Sequence, residues 1–408
     1  MNHLPAPRIF DRTTPPHMTT LIMLSSIGAL SMTLFLPSLP NMTEYFGTDY
    51  AIMQLSVAAY LFMNGILHIV IGPLADRFGR RPVTLTACLL FLLATLGCIL
   101  SPNVEIFLAF RMVQAVIVTG LVLSRAIVRD MVPQDHAASM IGYVTMGMAM
   151  VPMIAPMIGG LLDEFFGWQA SFALLLVSGT IILFFVWFDQ GETAINRAPS
   201  FRQQFREYPE LFRSRRFWGY TAIAGFAAGN FFAFLGGVPF IGSEIYRLPP
   251  STLGFYFGLT AFGYVLGNFV SGRWSFRLGT TRMLLIGALV MVICPIGAAS
   301  SQFLEIEHPF GFFVFFVFMG IANGIVMPNA TAGMLSVRPH LAGTASGVGG
   351  AMSIVAGSGV SALAGILLSA HHSPMPLIMI VSVCVMFCLL STFYVLRIEQ
   401  QIRWTNMD

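Results

Sequence analysis

The sequence predicts an all-α polytopic membrane protein that crosses the bilayer twelve times, as two related bundles of six helices. Three observations predict it. The 408 residues are 56% hydrophobic and only 10% charged, where a soluble chain carries about 25% charged residues. The apolar residues fall in continuous runs near the ~20 residues that a helix needs to span a bilayer. These runs do not alternate apolar with polar, so they read as helices and not as barrel strands.

In chain order the runs cover 19–39, 51–73, 83–101, 104–128, 138–162, 170–188, 217–240, 251–274, 282–300, 309–334, 341–368 and 375–397. The polar stretch before the first run carries Arg8 and Arg12, like the basic start of a secretory signal. The run itself is too long for a signal and no A-x-A site precedes the next one, so it reads as the first span. The chain has 21 basic residues, all arginine, and with the N-terminus inside, eighteen of them face the cytoplasm. Arg247 alone lies in an outside loop, and Arg111 and Arg125 lie within the fourth run. The positive-inside rule therefore puts both termini in the cytoplasm of a bacterial inner membrane. The longest polar stretch divides the chain into bundles at 1–188 and 217–408, with a cytoplasmic linker at 189–216. The linker's second part, from Ser200 to Arg216, mixes arginines and aromatics. It reads either as an amphipathic helix on the inner surface or as a flexible tether.

No enzyme signature is present. There is no P-loop, and the run from Gly343 to Gly347 has no nucleophile pattern with a base. Cys88, Cys98, Cys294, Cys384 and Cys388 all fall inside apolar runs without metal-ligand spacing, so they read as small buried hydrophobes. No cofactor, metal or nucleic-acid partner is expected. The expected partners are a small-molecule substrate, protons and lipid, with the protein acting as a monomer.

The loop from Gly72 to Pro82 crowds Asp76, Arg77, Arg80 and Arg81 between two spans, with Gly72 and Gly79 at fixed spacing. Charge is costly near a bilayer, so such a turn needs a reason. Its pattern, G-x-L-A-D-R-x-G-R-R-x, resembles the signature loop between helices 2 and 3 of the major facilitator superfamily. A worn copy follows the eighth span, about 200 residues later. There Gly279 falls where Gly79 does, Arg277 where Arg77 does, and Phe276 replaces Asp76. Duplicated halves place a substrate between the repeats near the midplane.

Further stretches narrow the resemblance. Arg111-Met-Val-Gln114-Ala115 is similar to an element of proton-coupled exporters. Gly147, Pro152, Pro156, Gly159 and Gly160 resemble the helix 5 motif of drug/proton antiporters. The A-P-M-I-G-G run, Arg125-Ala-Ile-Val-Arg129-Asp130, and Leu36-Pro37 with Pro40 look like the Bcr/CflA multidrug exporters, which include bicyclomycin and phenicol exporters. In residue terms, prolines remove backbone donors and glycines remove bulk, giving a helix that packs closely and bends. Asp76 and Arg77 are expected to latch a cytoplasmic seam against Arg129 and Asp130, or against a helix N-terminus near Leu341.

Arg111 is an intramembrane cation, a functional candidate with a partner expected. The sequence offers no carboxylate in any span core. Thr33 stands where the family resemblance implies an aspartate in helix 1. An unperturbed histidine titrates near neutrality, so His68 reads as the alternative proton carrier, beside Asp76 and Asp130, or as a polar packing residue. Thr33, Tyr60, Met63, Asn64, Gln114, Met146, Met150, Phe231, Asn230, Phe234, Asn268 and Asn323 are the candidate cavity residues. The resemblance implies a secondary-active drug exporter exchanging small amphiphiles for protons. A narrow metabolite exporter and a non-transporting membrane sensor or enzyme are the competing readings.

Overall fold

The computed structural model describes residues 7–132, 134–194, 209–338 and 342–405, and all regular structure among them is helical. Twelve long helices follow the twelve apolar runs. We label them α1 (Met18–Tyr45), α2 (Tyr50–Phe78), α3 (Arg80–Ile99), α4 (Val104–Met131), α5 (Gln134–Phe166), α6 (Gln169–Asp189), α7 (Arg215–Ile245), α8 (Pro250–Leu278), α9 (Thr280–Phe303), α10 (Pro309–Val337), α11 (Ala342–His371) and α12 (Met375–Thr405). Eleven are long and apolar enough to cross a membrane, and α5, at 33 residues, is as long as any of them.

Local chemistry explains the interruptions. The regular part of α1 stops at Thr33, ahead of a 3-10 turn at Leu36–Ser38. Pro37 and Pro40 lack the N–H that an unbroken helix needs there. The α2–α3 corner turns on Gly79 at φ 100° and the α8–α9 corner on Gly279 at φ 84°. Each glycine N–H closes its helix with a 2.9 Å bond to the carbonyl four residues back, Ala75 and Ser275 respectively. The two corners share one backbone geometry, which is what the aligned loops predict. The expected amphipathic helix of the linker falls mostly outside the described residues. Its described end, 209–212, is helical.

Helices α1–α6 pack on one another, and so do α7–α12. The halves meet along two seams, α2 against α11 and α5 against α8. Both seams are tight at the end away from the termini. Tyr50 Oη donates to Gly236 O at 2.7 Å, and Gln54 Nε2 to Ser361 Oγ at 2.9 Å. Gly160 lies on the Pro250 carbonyl, Gly254 on the Pro156 carbonyl, and Gly159 on the Leu34 carbonyl within its own half. Halfway along, a Cβ on Gly65 would sit 2.6 Å from Val355 Cγ2 and 3.2 Å from Ala351 O. Toward the arginine-rich end the same seam opens: Gly72 on α2 and Gly347 and Gly350 on α11 have open space around their Cβ positions. The molecule is closed at one end and splayed at the end that holds its termini.

Candidate functional site

Arg111 is the largest fully buried side chain, 1% exposed. The break in α1 explains its position, because carbonyls of a last helical turn lack helical partners. Arg111 Nη2 donates to Ser31 O at 2.8 Å and Nη1 to Ser31 Oγ at 3.0 Å. Its Nε donates to Ser56 O on α2 at 3.2 Å, and Nη1 also donates to Gln114 Oε1. The guanidinium carbon lies 4.4 Å from the Phe35 ring centroid and 3.9 Å from that of Tyr60. Gln114 extends the network to Thr95 Oγ1 at 2.8 Å. The arginine thus ties α1, α2, α3 and α4 together through neutral groups, with no carboxylate in the network.

Several expected cavity residues belong to this packed core and not to an open surface. Tyr60 and Gln114 are enclosed around Arg111. Thr33 is 1% exposed, and its hydroxyl donates to Ala29 O of its own helix at 2.8 Å. Phe234 is enclosed by Phe257 and Phe316. Met150 is half exposed on the outer stripe of α5 with Tyr143, Ile154 and Leu161, so it faces away from the seam. The expectation failed there because helix register, not residue type, decides which methionines face outward. The side chain of Met146, and Gly147 with it, lie outside the described residues. Asn230 and Asn323 are enclosed. Neither amide atom of Asn230 has a partner, and Asn323 donates only to Met319 O, at 3.1 Å.

Asn64 and His68 on α2 are half-buried, opposite the exposed stripe of Phe62, Ile66 and Val70, and Met63, also half-buried, flanks that stripe. Tyr264 and Asn268 on α8 are likewise half-buried, opposite Phe262, Leu266 and Phe269. These inner faces line the space between the halves. Phe231 is half-buried beside Phe232 and Phe234. His68 Nδ1 lies 3.1 Å from Asn64 O.

The charged loop makes its contacts inside one half. Arg80 pairs with Asp76 at 2.5 Å and, through Nε, with Asp130 at 3.2 Å. The expected pairing of Asp76 and Arg77 with Arg129 and Asp130 does not form: Asp76 and Asp130 both meet Arg80, and that contact does not cross the seam. Both ends of the contact move as one body, and the pair exists with this end splayed. The cause is topology, since the α2–α3 corner and the end of α4 neighbour each other in one bundle. Arg81 donates to Trp187 O at 3.0 Å, Arg77 lies over Phe78, and Arg129 is exposed. The region near Leu341 lies outside the described residues.

Three features escaped the sequence reading. Glu192 takes the Arg80 and Arg81 backbone N–H groups at 2.8 and 3.2 Å, capping α3. Asp189 holds the N-terminal arm, accepting from Phe10 N, His17 N and Thr20 Oγ1 at 2.9, 2.8 and 2.6 Å. Asp163 is 5% exposed; Asn41 donates to its Oδ2 at 2.6 Å, and its Oδ1 is unpartnered. The apolar run ends at 162, but the helix continues to Phe166 and terminates at Gly167, φ 82°. Hydropathy stops at the charge, whereas backbone hydrogen bonding does not.

The Major Facilitator Superfamily family model matches residues 21–362. A chloramphenicol resistance protein of Pseudomonas aeruginosa is 30% identical over 336 residues, 81% of this chain and 79% of its own. A bicyclomycin resistance protein homolog of Haemophilus influenzae is 26% identical over 389 residues, covering 92% and 96%. The crystal structure of a D-xylose-proton symporter matches at TM-score 0.71 with 14% identity, over 93% of this chain and 96% of that one, a likeness of fold. Matched along most of its length, with a duplicated corner loop and two seams, the chain belongs to the Major Facilitator Superfamily of transporters and resembles its Bcr/CflA-like drug:proton antiporters.

Proposed function

We propose that this transporter is a secondary-active exporter of small amphipathic drugs, phenicol- or bicyclomycin-like, in exchange for protons. The sorted arginines support a splayed end facing the cytoplasm of a bacterial inner membrane, and on this reading the state is inward-facing. The bundles 1–188 and 217–408 rock about the 189–216 linker, and a monomer suffices. The observation that carries the reading is the seam geometry. Packed glycine contacts close one end while Gly72, Gly347 and Gly350 stand clear at the other. Alternating access needs two such ends with different contacts.

The residues suggest a preference as well. Arg111 and the Thr33 hydroxyl are satisfied by neutral groups, and among the described residues no carboxylate bonds to either, so this site lacks a counter-charge for a cation. A desolvated cation without one is penalised by several kcal/mol. Neutral and weakly acidic amphiphiles are therefore favoured. His68, Asp76, Asp130 and Asp163 are the titratable groups on hand to carry a proton. Everted vesicles loaded with a pH probe test the reading. Chloramphenicol addition should release protons from the lumen, and ethidium should give a far smaller signal. Equal ethidium transport, or drug accumulation with no proton movement, contradicts it.

A further inference from the structure

The two corners share a backbone geometry but not a charge balance. At the first, Arg80 is met by Asp76 and Asp130, and Glu192 takes the Arg80 and Arg81 N–H groups that open α3. At the second, Phe276 stands in the acid's place. No carboxylate among the described residues reaches the Thr280 and Thr281 N–H groups that open α9. A cavity of about 410 Å³ lies there instead, walled by Arg277, Thr280, Thr281 and Arg282 and, from α12, by Leu396 and Glu399. Arg277 and Arg282 are exposed and have no hydrogen-bond or ion-pair partner among the described residues. Glu399 is committed elsewhere, accepting from Arg216 at 2.7 Å and from Tyr220 at 2.9 Å. One turn along α12 from Leu396, Phe393 opens a second, apolar cleft of about 500 Å³ between α9 and α12, walled also by Val292, Pro295 and Ala299. Its rim residues Ile296, Met386, Leu390 and Phe393 are about half exposed, and Phe276 beside the corner cavity is 98% exposed.

We propose that the α8–α9 corner and the α9–α12 cleft together bind one anionic phospholipid, with its phosphate at Arg277 and Arg282 and an acyl chain along the cleft. The site is separate from the exported substrate and from the space between the halves. Guanidinium groups take phosphate oxygens in planar two-point geometry, and the free N–H groups at the start of α9 favour an anion beside them. The first half supplies the precedent, since Glu192 places a carboxylate on the same backbone geometry at Arg80 and Arg81. A soluble phosphate would satisfy the corner and leave the cleft empty, whereas a phospholipid fills both with one molecule. A zwitterionic headgroup brings an ammonium toward two arginines, so an acidic one is preferred. All the contacts lie on α8, α9 and α12, within the second bundle. They are kept when the halves rock, so the lipid anchors that bundle to the leaflet without biasing either state.

Native mass spectrometry of the delipidated full-length protein, titrated with dioleoyl phosphatidylglycerol and dioleoyl phosphatidylcholine, tests the assignment. The wild type should hold the acidic lipid at least about tenfold more tightly, as two arginines near one phosphate imply. Arg277→Gln with Arg282→Gln should bring the two lipids within about twofold. Both side chains are exposed and unpartnered, so folding is unaffected. Arg8→Gln with Arg12→Gln removes as much charge from the same end of the molecule and should leave the preference intact. Ala299→Phe, which fills the cleft, should weaken both lipids by about fourfold, the loss of one buried methylene, and keep their ratio. Equal binding of the two lipids by the wild type overturns the proposal without any variant. So does a preference that survives the Arg277 and Arg282 pair, or one that the Arg8 and Arg12 pair reduces equally. Lipid binding unchanged by Ala299→Phe removes the cleft from the site and overturns the proposal as stated. Displacement of the lipid by millimolar inorganic phosphate reassigns the corner to a soluble anion and overturns it as well.

Discussion

Replacing Arg111 with lysine keeps the charge and removes the fork. The guanidinium reaches Ser31 Oγ, Ser31 O and Ser56 O at 3.0, 2.8 and 3.2 Å, and also Gln114. It does so while lying between the rings of Phe35 and Tyr60. An ammonium is a compact point that cannot span acceptors on two helices and a stacked face at once. Keeping two of the bonds and one ring contact, the lysine loses two polar contacts worth about 0.6–1.7 kcal/mol each within a membrane. It also loses one cation–π contact of about 1–2 kcal/mol. The total is about 2–5 kcal/mol. Alanine loses more contacts but also removes a buried charge, which returns several kcal/mol of desolvation. The two variants should therefore be similarly impaired, and lysine should not rescue. Efflux from cells expressing equal membrane levels, with thermal unfolding of the purified variants, measures this. Wild-type efflux by Arg111→Ala, or a lysine variant that melts and transports like wild type, would refute the reasoning.

Gly79→Ala and Gly279→Ala impose similar strain of about 1–3 kcal/mol, because φ 100° ψ 151° and φ 84° ψ 152° lie in a region essentially kept for glycine. Only at Gly79 would the new Cβ also meet Glu192, 2.5 Å from Oε2. Gly79→Ala should thus lower the melting temperature more, and equal shifts would discount the Glu192 cap. Asp76→Asn leaves Arg80 its bond to Asp130 and should fold normally but export poorly. Normal efflux at normal expression means that the loop does not govern cycling. Thr33→Asp should extend resistance toward ethidium-like cations and sharpen its dependence on external pH, and His68→Gln should blunt the wild type's pH dependence. Resistance profiles that do not move in either variant count against both residues. Asp163→Asn preserves the Asn41 contact in shape while removing the titratable group. Proton-coupled uptake into everted vesicles should fall while drug binding persists, and unchanged coupling would leave Asp163 a purely structural residue.

The twelve spans were legible because bilayer thickness leaves a continuous apolar signature that tertiary contacts do not disturb. The corner glycines were legible for a similarly local reason, since a positive φ and fixed spacing repeat at Gly79 and Gly279. Side-chain destinations were another matter. Tyr60, Met150 and Arg125 are all intramembrane residues of uncertain facing in the sequence. One stacks on Arg111, one points outward, and one buries an Nε with no hydrogen-bond partner among the described residues. Composition cannot tell these apart, because lipid, protein core and cavity wall are all apolar. In the sequence Asp163 and Glu192 sit just past the ends of spans, where a carboxylate usually finds water. Only three-dimensional neighbours reveal that Asn41 and the start of α3 claim them.

The distribution of contacts bears on how the cycle runs. The four ion pairs among the described residues are Arg80 with Asp76 and Asp130, Arg216 with Glu399, and Arg338 with Glu210. None of them joins the first bundle to the second. The closed end is held instead by two cross-half hydrogen bonds and by glycine packing at Gly160 and Gly254. At about 0.6–1.7 kcal/mol per polar contact, the two bonds contribute about 1–3 kcal/mol. Driving a two-state equilibrium from about 1:99 to 99:1 takes a differential near 5.5 kcal/mol. Only part of that must come from breaking the seal, and dispersion across the glycine contacts supplies the remainder. Such a seal responds to small differences in ligand contact. Arg80 with its two carboxylates ties the α2–α3 corner of the first bundle and Arg216 with Glu399 ties α7 to α12 in the second, while the weaker neutral seam opens and closes.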